Sequence, residues 1–337
     1  MSATLRPISP GAESLLGRYF RVLDHGFVAL VDYMGTDECV ERAARVSYGY
    51  GTRRTSQTRG LLRYLRRHSH TTPSEMVELK FHCCMPMFVA RQWIRHRTAN
   101  VNEYSGRYSL IPMVFYTPPR EQLQSQSKTN NQGRSGVPLP DATYAEAERR
   151  WKEIRSLARS AYEWMTGENM ARELARIDLP LSTYTQWYWK IDLHNLMHFL
   201  RLRVDAHAQW EIQAYGRVMA GMLKQIAPLS YEAWIDYDVC GARLSRMELE
   251  ALRKLVAVSD EGLSSTGQRL GAEALAALGL SKREVRELLD KLTPREPVDF
   301  SIDPQAAETP EQVAERFAQA VPKVDAPPKG EGSEPGL

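Results

Sequence analysis

The segment RQWIRHRTANVNEYSGRYS, from Arg91 to Ser109, concentrates side chains that bind anions. It contains four arginines, one histidine and one glutamate among small hydroxyl and amide residues. A guanidinium stays charged, and its planar array of N–H donors matches the oxygens of a phosphate or a carboxylate. Glu103 is surrounded by these cations, so its carboxylate should stay ionised and accept hydrogen bonds from a ribose hydroxyl or a base N–H. The residue types alone leave two interpretations open, a nucleotide or diphosphate site and a solvated basic loop with interface ion pairs.

The charge of the chain is unevenly distributed, although the net charge of the 337 residues is only +3. Between Arg53 and Arg107 there are ten arginines and one lysine against three glutamates, a net charge of +8. Such a block predicts an anionic partner: a nucleotide, a polyanion or a nucleic acid. A basic nucleic-acid-binding protein without catalytic activity is therefore an alternative to an enzyme, and it predicts oligonucleotide binding with a steep salt dependence.

The elements that position the arginines follow from the pattern of the residues before them. VELKFHCCM alternates apolar side chains on one face, the period of a β-strand: Leu79, Phe81, Cys83 and Met85. Pro86 then suits the first turn of a helix, PMFVARQWIRHR, because its missing N–H has no partner to lose there. The strand thus leads into a helix, and the helix carries the arginines at its C-terminal end.

Further elements are predicted on both sides of this segment. RYFRVLDHGFVALVDYMG and LSTYTQWYWK predict strands, the second with Thr183, Thr185, Trp187 and Trp189 on one side. DECVERAARVSYG, TRGLLRYLRRHSH and DLHNLMHFLRLR predict helices, the first capped by Asp37 and the last by Asp192. The stretches SRMELEALRKLVA and SKREVRELLDKL also predict helices.

Two long helices and a polar loop are predicted further along the chain. YAEAERRWKEIRSLARSAYEWM predicts a strongly amphipathic helix, because its apolar residues recur at helical spacing: Ala147, Trp151, Ile154, Ala158, Ala161 and Met165. DAHAQWEIQAYGRVMAGMLKQIAP does the same with Ile212, Tyr215, Met219, Met222 and Ile226. The loop Ser125–Gly136, before the first of these helices, is predicted to be a mobile substrate lid, a common role of long polar loops.

Five ordered sequence blocks resemble one enzyme family. RHRTANVNEYS has the form Arg-His-Arg, seven residues, Ser, and FVARQWIRHRTANVNEYSGRYS as a whole resembles the signature motif of the flavin-dependent thymidylate synthases. The other blocks are ARVSYG, HTTPSE, ELARIDLPLSTYTQWYW and FLRLRVDAHAQWEIQ. A single RHR would be a weak signal, whereas five blocks in order, over about residues 18–235, are highly specific.

The resemblance implies a reaction, an assembly and a fold. Members of this family make dTMP from dUMP by reductive methylation, with 5,10-methylenetetrahydrofolate as one-carbon donor and FAD reduced by NADPH. They are homotetramers with intersubunit active sites, so dUMP, folate and further copies of the chain are the expected partners, and nucleic acid and membrane are not. The implied fold class is α/β (α+β), with a twisted, mainly antiparallel sheet flanked by helices. It is not a Rossmann fold, and GYG near Gly49 does not satisfy the G-x-G-x-x-G fingerprint.

The resemblance also assigns site residues. The FAD contacts fall on Thr72, Arg95, His96, Arg97, Glu103, Asp192, Leu193, His194 and His198. The dUMP contacts fall on Gln92, Trp93, Arg95, Glu103, Tyr104, Ser105, Gly106, Arg107, Arg176 and Arg203. His70 and Tyr108 are expected on the side where folate or nicotinamide stacks, and no metal site is implied.

Arg203 is the catalytic residue that the resemblance implies. In the family this arginine favours loss of the N3 proton from uracil. A fixed guanidinium stabilises the N3/O4 anion, which increases the electron density at C5 so that C5 can attack the methylene electrophile. Asp192 stands where many members have Asn, so we interpret it first as a helix N-cap and second as a flavin ligand. His198 stands where some members have a second Asn and others a His.

Other chemistries are less well supported by the residue patterns. His194 and His198 are four residues apart, a spacing that can chelate a metal, but the H-E-x-x-H motif of zinc peptidases requires Glu where this chain has Asn195. Ser105 has no identifiable base beside it, which favours a phosphate donor over a nucleophile. Cys83 and Cys84 lie in a predicted buried strand and are interpreted as core residues rather than activated thiols.

The sequence predicts four segments and a cytoplasmic location. These are an N-terminal lead (1–14), the catalytic domain (15–240), a helical extension (241–302) and an acidic disordered tail (303–337), which has a net charge of −4. The apolar runs are too short to span a bilayer, MSATLRPISP lacks the apolar region of a signal peptide, and the four cysteines show no CxxC spacing.

Overall fold

The computed structural model describes residues 6–46, 58–128, 132–259, 262–294, 296 and 298–321. Within it the chain forms two compact units. The first unit contains the chain up to Tyr231 and again from Phe300, and the second runs from Glu232 to Asp299. The second unit begins a few residues before the predicted extension (241–302), and the chain returns to the first unit at Phe300. Part of the ARVSYG block and residues 322–337 of the predicted tail lie outside the described residues.

The first unit contains most of the helices and strands. It opens with α1 (Pro10–Leu15), β1 (Tyr19–Val22), β2 (Gly26–Met34), α2 (Asp37–Val46) and α3 (Thr58–Arg67). These are followed by β3 (Glu78–Pro86), α4 (Met87–Trp93), β4 (Asn100–Glu103), β5 (Gln124–Gln126) and β6 (Arg134–Pro138). The chain continues with α5 (Asp141–Gly167), α6 (Arg172–Ala175), β7 (Tyr184–Asp192), α7 (Leu193–Arg203), α8 (Trp210–Ile226) and α9 (Pro228–Trp234).

The second unit is small and has its own core. Its elements are α10 (Arg246–Leu255), β8 (Val256–Ser259), β9 (Gly262–Ser265), α11 (Ala272–Ala277) and α12 (Lys282–Leu292). Its buried apolar residues are Ala251, Leu275, Leu280 and Leu288. Glu248 completes a capping box with Ser245 at the start of α10 and accepts from Lys291 Nζ at 2.6 Å. The two helices predicted here from sequence are therefore confirmed. After this unit the chain ends its described part with α13 (Pro310–Ala320) of the first unit.

One antiparallel sheet organises the first unit. Its strand order is β1–β2–β3–β7–β4, and every neighbouring pair is antiparallel. Phe81 lies opposite Trp189 and Cys83 opposite Trp187, so alternate residues of β3 and β7 share one buried face, as their period of two predicts. The predicted class, helices around a mainly antiparallel sheet and not a Rossmann fold, is confirmed.

Aromatic residues fill the space between this face and the helices. Trp93, at the end of α4, is fully buried; its ring stacks on Phe199 of α7 with 5.0 Å between centroids. It also meets Trp189 edge to face at 5.3 Å and Tyr215 of α8 at 5.7 Å. These rings fix α4, α7 and α8 against the sheet. The ends of α4 and α7, where the predicted site residues lie, are therefore set by the core.

The opposite face of the sheet is partly covered by the C-terminal segment. Tyr19 and Glu308 exchange two backbone hydrogen bonds of 3.0 and 2.8 Å, and Phe317 of α13 contacts the rings of Phe27 and Tyr184. Arg316 donates to both carboxylate oxygens of Glu308. The prediction of disorder from residue 303 onward is thus wrong for residues 303–321, because apolar residues spaced along α13 find an apolar sheet face.

Three local predictions have different outcomes in the structure. The amphipathic helix predicted over residues 144–165 forms as α5, but Ile154 and Ala161 on its apolar side are exposed, and only Tyr162 of this helix is buried. The segment predicted to be a lid, Ser125–Gly136, forms part of an antiparallel hairpin of β5 and β6, although residues 129–131 lie outside the described part; its role as a lid stays a prediction. Asp37 does not cap α2; its carboxylate instead accepts from the backbone N–H groups of Leu229 and Ser230 in α9.

Candidate functional site

The arginine-rich segment begins where α4 ends. α4 runs to Trp93, and Arg95 and Arg97 lie exposed between this helix and β4. His96, between them, is only 9% exposed and points into the protein. The chain cannot continue as a helix here because residues from Asn100 pair with β7. Two guanidinium groups are consequently presented at the surface, and one imidazole is held inside.

His96 is a neutral imidazole at neutral pH. Burial lowers its pKa to about 4, and the positive charge of Arg203 and the neighbouring His198 act in the same direction. Its Nε2 atom lies 3.0 Å from Thr98 Oγ1, and its ring centroid lies 5.7 Å from that of His198. His96 therefore provides a hydrogen-bonding group, and the cations of the RHR triplet are its two arginines.

Arg203 lies at the last turn of α7, half-buried behind the same segment. Its Nη2 donates to the backbone carbonyl of Gln92 at 3.1 Å, and its guanidinium lies over the Phe199 ring at 5.7 Å from the centroid. The Nε atom is buried and has no hydrogen-bond partner among the described residues. Burial lowers the pKa of Arg203, yet an arginine remains cationic at neutral pH. Arg203 is thus a fixed cation with unused donor capacity.

Asp192 is the N-cap of α7, which confirms that prediction. Its carboxylate accepts from Asn195 N at 2.8 Å and from Asn195 Nδ2 at 2.7 Å. Both oxygens are therefore occupied within the first turn. His194, next to it, has a buried Nδ1 without a partner among the described residues, and burial, followed by the charge of Arg66, lowers its pKa. In the first turn of α7 the backbone N–H groups of Leu193 and Asn195 already donate, to the Val77 carbonyl and to Asp192, whereas the His194 Nδ1 atom has no partner among the described residues.

Glu103 ends β4 and is oriented by the neighbouring strand. Its Oε1 accepts from Thr185 Oγ1 at 2.7 Å, and the hydroxyl of Thr185 is carried by a residue only 5% exposed on β7. The next residue, Tyr104, donates its backbone N–H to the Gln186 carbonyl at 2.8 Å. Glu103 is itself exposed, so its side chain is accessible from solvent. β7 therefore sets the direction of the carboxylate that the sequence singled out.

A tight turn follows, over Ser105 to Tyr108. Ser105 Oγ accepts from Arg107 N at 3.2 Å, and the Ser105 carbonyl accepts from Tyr108 N at 3.2 Å. Gly106 is buried, and a Cβ there would lie 2.6 Å from Ile111 and 3.2 Å from the side chain of Arg176. A larger residue at position 106 would have to displace the side chain of Ile111, so glycine lets the turn pack closely against Ile111 and Arg176.

Arg107 is exposed and forms an ion pair with Glu173, at 2.9 Å between Nη2 and Oε2. Arg172 donates to the carbonyl of Tyr108. Beside these residues lies a cavity of about 710 Å³, with Leu110, Thr166 and Asn169 also in its wall. The exposed Tyr108 ring borders it. The turn thus carries Arg107 and one aromatic ring at the edge of a large open space, with Arg172 of α6 beside them.

His70 and Thr72 lie at the other end of the region, near the start of α7. Thr72 opens a short 3-10 turn (Thr72–Met76) that packs against α7. His70 is exposed, and its ring lies 5.8 Å from Tyr64 and 6.3 Å from His68. Tyr64 and His68 are themselves 4.4 Å apart. The three rings form an exposed aromatic group of which the sequence interpretation named only His70.

Hydrogen bonds and ring contacts among the described residues gather the predicted site residues into two main groups. One contains Gln92, His96, His198 and Arg203. The other contains the 105–108 turn with Arg176. Trp93 and Leu193, predicted as dUMP and FAD contacts respectively, are fully buried, so any contact from these two residues would come from the backbone.

Several residues that orient these groups were missed from the sequence. Thr185 holds Glu103, and Gln209 accepts from the Gln92 side chain. Glu211 in turn accepts from Gln209 and is buried. The spacing 209–211 at the start of a helix gives no hint of a partner more than 100 residues away. In the described part of the chain no His, Cys, Asp or Glu cluster suits a metal ion, and none of its helices is long and apolar enough to cross a membrane.

The fold has counterparts among solved structures of nucleotide methylases. The UMP/dUMP methylase PolB from Streptomyces cacaoi, bound with 5-Br UMP, matches with a TM-score of 0.59 and 31% identity, over 65% of this chain and 98% of PolB. Its complex with 5-Br dUMP matches with a TM-score of 0.58. About a third of this chain therefore has no equivalent in PolB.

Sequence relatives are more specific. A family described as Thymidylate synthase complementing protein matches residues 29–229. The flavin-dependent thymidylate synthase of Ruegeria pomeroyi is 49% identical over 291 residues, which are 85% of this chain and 92% of that protein. That of Wolbachia pipientis wMel is 52% identical over 261 residues, 75% of this chain and 89% of the relative. The chain belongs to the flavin-dependent thymidylate synthase family.

Proposed function

We propose that the protein makes dTMP from dUMP by reductive methylation, with 5,10-methylenetetrahydrofolate as one-carbon donor and FAD reduced by NADPH. Membership of the family supports thymidylate synthesis with a flavin. The observation that carries the proposal is the guanidinium of Arg203, fixed to the Gln92 carbonyl with a buried Nε left unpartnered in the described part of the chain. A fixed cation with spare donors is what a developing uracil anion requires.

Arg203 acts on the uracil ring. Its guanidinium stabilises the anion that forms when N3 loses its proton, and the negative charge shared by N3 and O4 makes C5 a better nucleophile. Because the aromatic core fixes α7, little reorganisation is needed when this charge develops. The Gln92 carbonyl occupies one N–H group, so the remaining donors are directed by a contact that is already made.

The 105–108 turn and Arg176 bind the dUMP phosphate and sugar. Ser105 offers a hydroxyl, Gly106 allows the backbone to approach closely, and Arg107 and Arg176 supply charge. Glu103 accepts from the ribose or the base with the oxygen that Thr185 leaves free. Tyr104 continues the same wall of the site, and Arg95 contributes a further exposed cation.

The residues at the start of α7 fit FAD. The dipole of a helix favours negative charge at its N-terminus, and the side chains of Arg95 and Arg97 add positive charge. His194, with an unsatisfied buried Nδ1, can reach a polar atom of the cofactor, and His96 can do so as a neutral imidazole. Because the Asp192 carboxylate is occupied by Asn195, its charge is partly compensated. When bound, the flavin supplies the hydride that reduces the transferred one-carbon group.

The folate and the nicotinamide bind against exposed aromatic side chains. His70, supported by Tyr64 and His68, offers a ring on the α3 side. Tyr108 offers another beside the 710 Å³ cavity. Planar heterocycles stack well on such rings, which supports the assignment of both residues to this side of the site.

A homotetramer with sites shared between subunits completes the proposal. On α5, Ile154, Leu157 and Trp164 are each more than half exposed and recur on one side of the helix. Large apolar side chains exposed on one side of a helix are typical of an interface. The division of the dUMP residues into two groups supports sites to which two subunits contribute. A cytoplasmic location, supported by the absence of disulfides among the four cysteines, is part of the same proposal.

The test is an absorbance spectrum of the purified protein, before and after anaerobic NADPH, with and without dUMP. Flavin bands that bleach faster in the presence of dUMP would support one site for flavin, reductant and nucleotide. Production of dTMP only when methylenetetrahydrofolate is present would support the donor. A protein that remains colourless after added FAD would contradict the proposal, and salt-dependent oligonucleotide binding would then be the function to measure.

A further inference from the structure

Glu211 is a buried carboxylate that the proposed reaction does not use. It lies in the first turn of α8, is only 2% exposed, and both of its oxygens accept hydrogen bonds. Oε1 accepts from Tyr116 Oη at 3.1 Å and from Arg134 Nη2 at 2.6 Å, and Oε2 accepts from Gln209 Nε2 at 2.9 Å. A buried carboxylate is costly without a cation, so Arg134 is its essential partner.

Arg134 belongs to the β5–β6 hairpin, far along the chain from α8. Besides Glu211 it donates from Nη1 to Gln122 Oε1 at 2.7 Å, just before β5. The side chain therefore joins the base of the hairpin to the body of the protein. Because the Glu211 side chain is buried and that of Arg134 is 30% exposed, this ion pair is screened less than the surface pairs of α5.

Gln209 continues the chain of contacts from Glu211 to the proposed dUMP site. It is the N-cap residue of α8, but its side chain does not cap the helix. Instead its Nε2 donates to Glu211, and its Oε1 accepts from Gln92 Nε2. Gln92 is also the residue whose carbonyl holds Arg203. The buried carboxylate of Glu211 thus orients the side-chain amide of Gln209, which in turn orients the side-chain amide of Gln92.

We propose that Glu211 is a positioning residue that couples the seating of the β5–β6 hairpin to the orientation of Gln92. With Arg134 in place, one Glu211 oxygen is saturated, and the other fixes the donor end of Gln209. The acceptor end of Gln209 then fixes Gln92 in the orientation that binds dUMP. When Arg134 is removed, Glu211 loses its cation and rearranges, and Gln92 loses its orientation. This inference rests on the proposed function, because it assumes that Gln92 contacts dUMP.

The experiment is a double-mutant cycle on the flavin-loaded protein. Arg134→Gln, Gln92→Ala and the double variant are compared with the unsubstituted protein for the dissociation constant of dUMP, for KM and for kcat. Arg120→Gln is the matched control. Arg120 lies at the base of the same hairpin but donates to Asp141 and the Leu139 carbonyl, away from Glu211. Thermal melting of each variant checks that it folds.

The expected result is a rise of about tenfold in the dissociation constant and KM for dUMP in Arg134→Gln, with kcat at saturating dUMP within about twofold. In the Gln92→Ala background the same substitution should add less than about twofold, since both changes act through one side chain. Arg120→Gln should leave all three constants within about twofold.

Two results would overturn the inference. Arg134→Gln with unchanged dUMP binding would show that the hairpin does not influence Gln92. Effects that multiply in the double variant would show that Arg134 acts by another route, such as general destabilisation. If the unsubstituted protein did not bind dUMP at all, the proposed function would fail together with the inference. Normal dUMP binding without coupling between Arg134 and Gln92 would contradict the inference but leave the proposed function intact.

Discussion

Arg203 and Arg107 are both assigned to dUMP, yet the structure holds them in opposite ways. Arg203 is half-buried on a helix fixed by aromatic rings, and its guanidinium is tied to a backbone carbonyl. Arg107 lies on a turn, its side chain is 58% exposed, and its partner is the similarly exposed Glu173. Arg203 is preorganised, whereas Arg107 must exchange the Glu173 carboxylate for the anion that binds.

The difference matches the two tasks that the proposed reaction sets. Charge that develops during the reaction is stabilised best by a group that does not move, because reorganisation costs free energy at the transition state. A phosphate that carries its charge throughout needs only to be bound, and an exposed arginine paired with a surface carboxylate loses little by changing partner. The buried region should therefore control turnover, and the turn should control affinity.

The largest effect is expected for Arg203→Ala. Loss of the fixed guanidinium should lower dTMP formation by about 1,000-fold or more, while the flavin spectrum of the protein is retained. Arg203→Lys should restore only a small part, because an ammonium lacks the planar array of donors. Single-turnover formation of dTMP is the measurement. Turnover within about tenfold of the original protein would remove Arg203 from its role.

His96, in the same buried region, predicts a pH dependence of stability. Its pKa is about 4 in the folded protein and close to 6.5 when unfolded, so between these values only the unfolded chain takes up a proton. The free energy of unfolding should fall as the pH drops from 6.5 to 4, by at most about 3 kcal/mol from this residue. Urea unfolding at several pH values measures it.

The matched variant for that experiment is His96→Gln, which cannot titrate. Burial also lowers the pKa of His25, His82 and His194, and their contributions have the same sign and remain in the variant. The difference between the two proteins therefore isolates His96. An unchanged slope would mean that this imidazole is protonated equally in the folded and unfolded states.

A smaller effect, on affinity, is expected for Arg107→Gln. Loss of one charge-assisted hydrogen bond to a phosphate should raise KM for dUMP by about 10- to 100-fold and leave kcat within about threefold. Arg149→Gln is the control, because Arg149 is an exposed arginine whose ion pairs lie within α5. A fall in kcat that equalled the loss in kcat/KM would erase the contrast between Arg107 and Arg203.

The smallest effect is expected for Thr185→Val, which removes a hydroxyl without changing the shape of the side chain. Glu103 then loses the hydrogen bond that orients it, and KM for dUMP should rise about fivefold. Thr185→Ser should keep most of the affinity because it retains the hydroxyl. Equal behaviour of the Val and Ser variants would show that Glu103 needs no support from β7.

The parts of the fold that could be predicted from the sequence are those whose burial follows a local period. Alternation on β3 and β7 and helical spacing on α8 placed sets of residues on one face each, and every member of these sets is buried. On α5 the same periodicity correctly predicted a helix with an apolar side, but it does not say whether this chain or another covers that side. The family motif then supplied the candidate residues, and tertiary contacts gather many of them.

The residues that orient the site could not be predicted because their partners are distant in sequence. Thr185 and Glu103 are 82 positions apart, and Arg134 and Glu211 are 77 apart. Nothing in the composition of QSQSKTNNQGRS indicates a hairpin, since its polar side chains lack the alternation of a half-buried strand. Likewise, the charges of the tail suggested disorder. The few apolar residues of α13 are covered because they pack in one cluster with Phe27 and Tyr184.

The bridge between Tyr19 and Glu308 has a consequence for synthesis on the ribosome. The hairpin of β1 and β2 is made early, but the segment that covers its outer face follows about 289 residues later. At translation rates of about 5–20 residues per second, Phe317 is synthesised roughly 15–60 s after Phe27, which it contacts in the folded protein. During that interval the nascent chain exposes an apolar sheet face, to which chaperones that recognise such surfaces can bind.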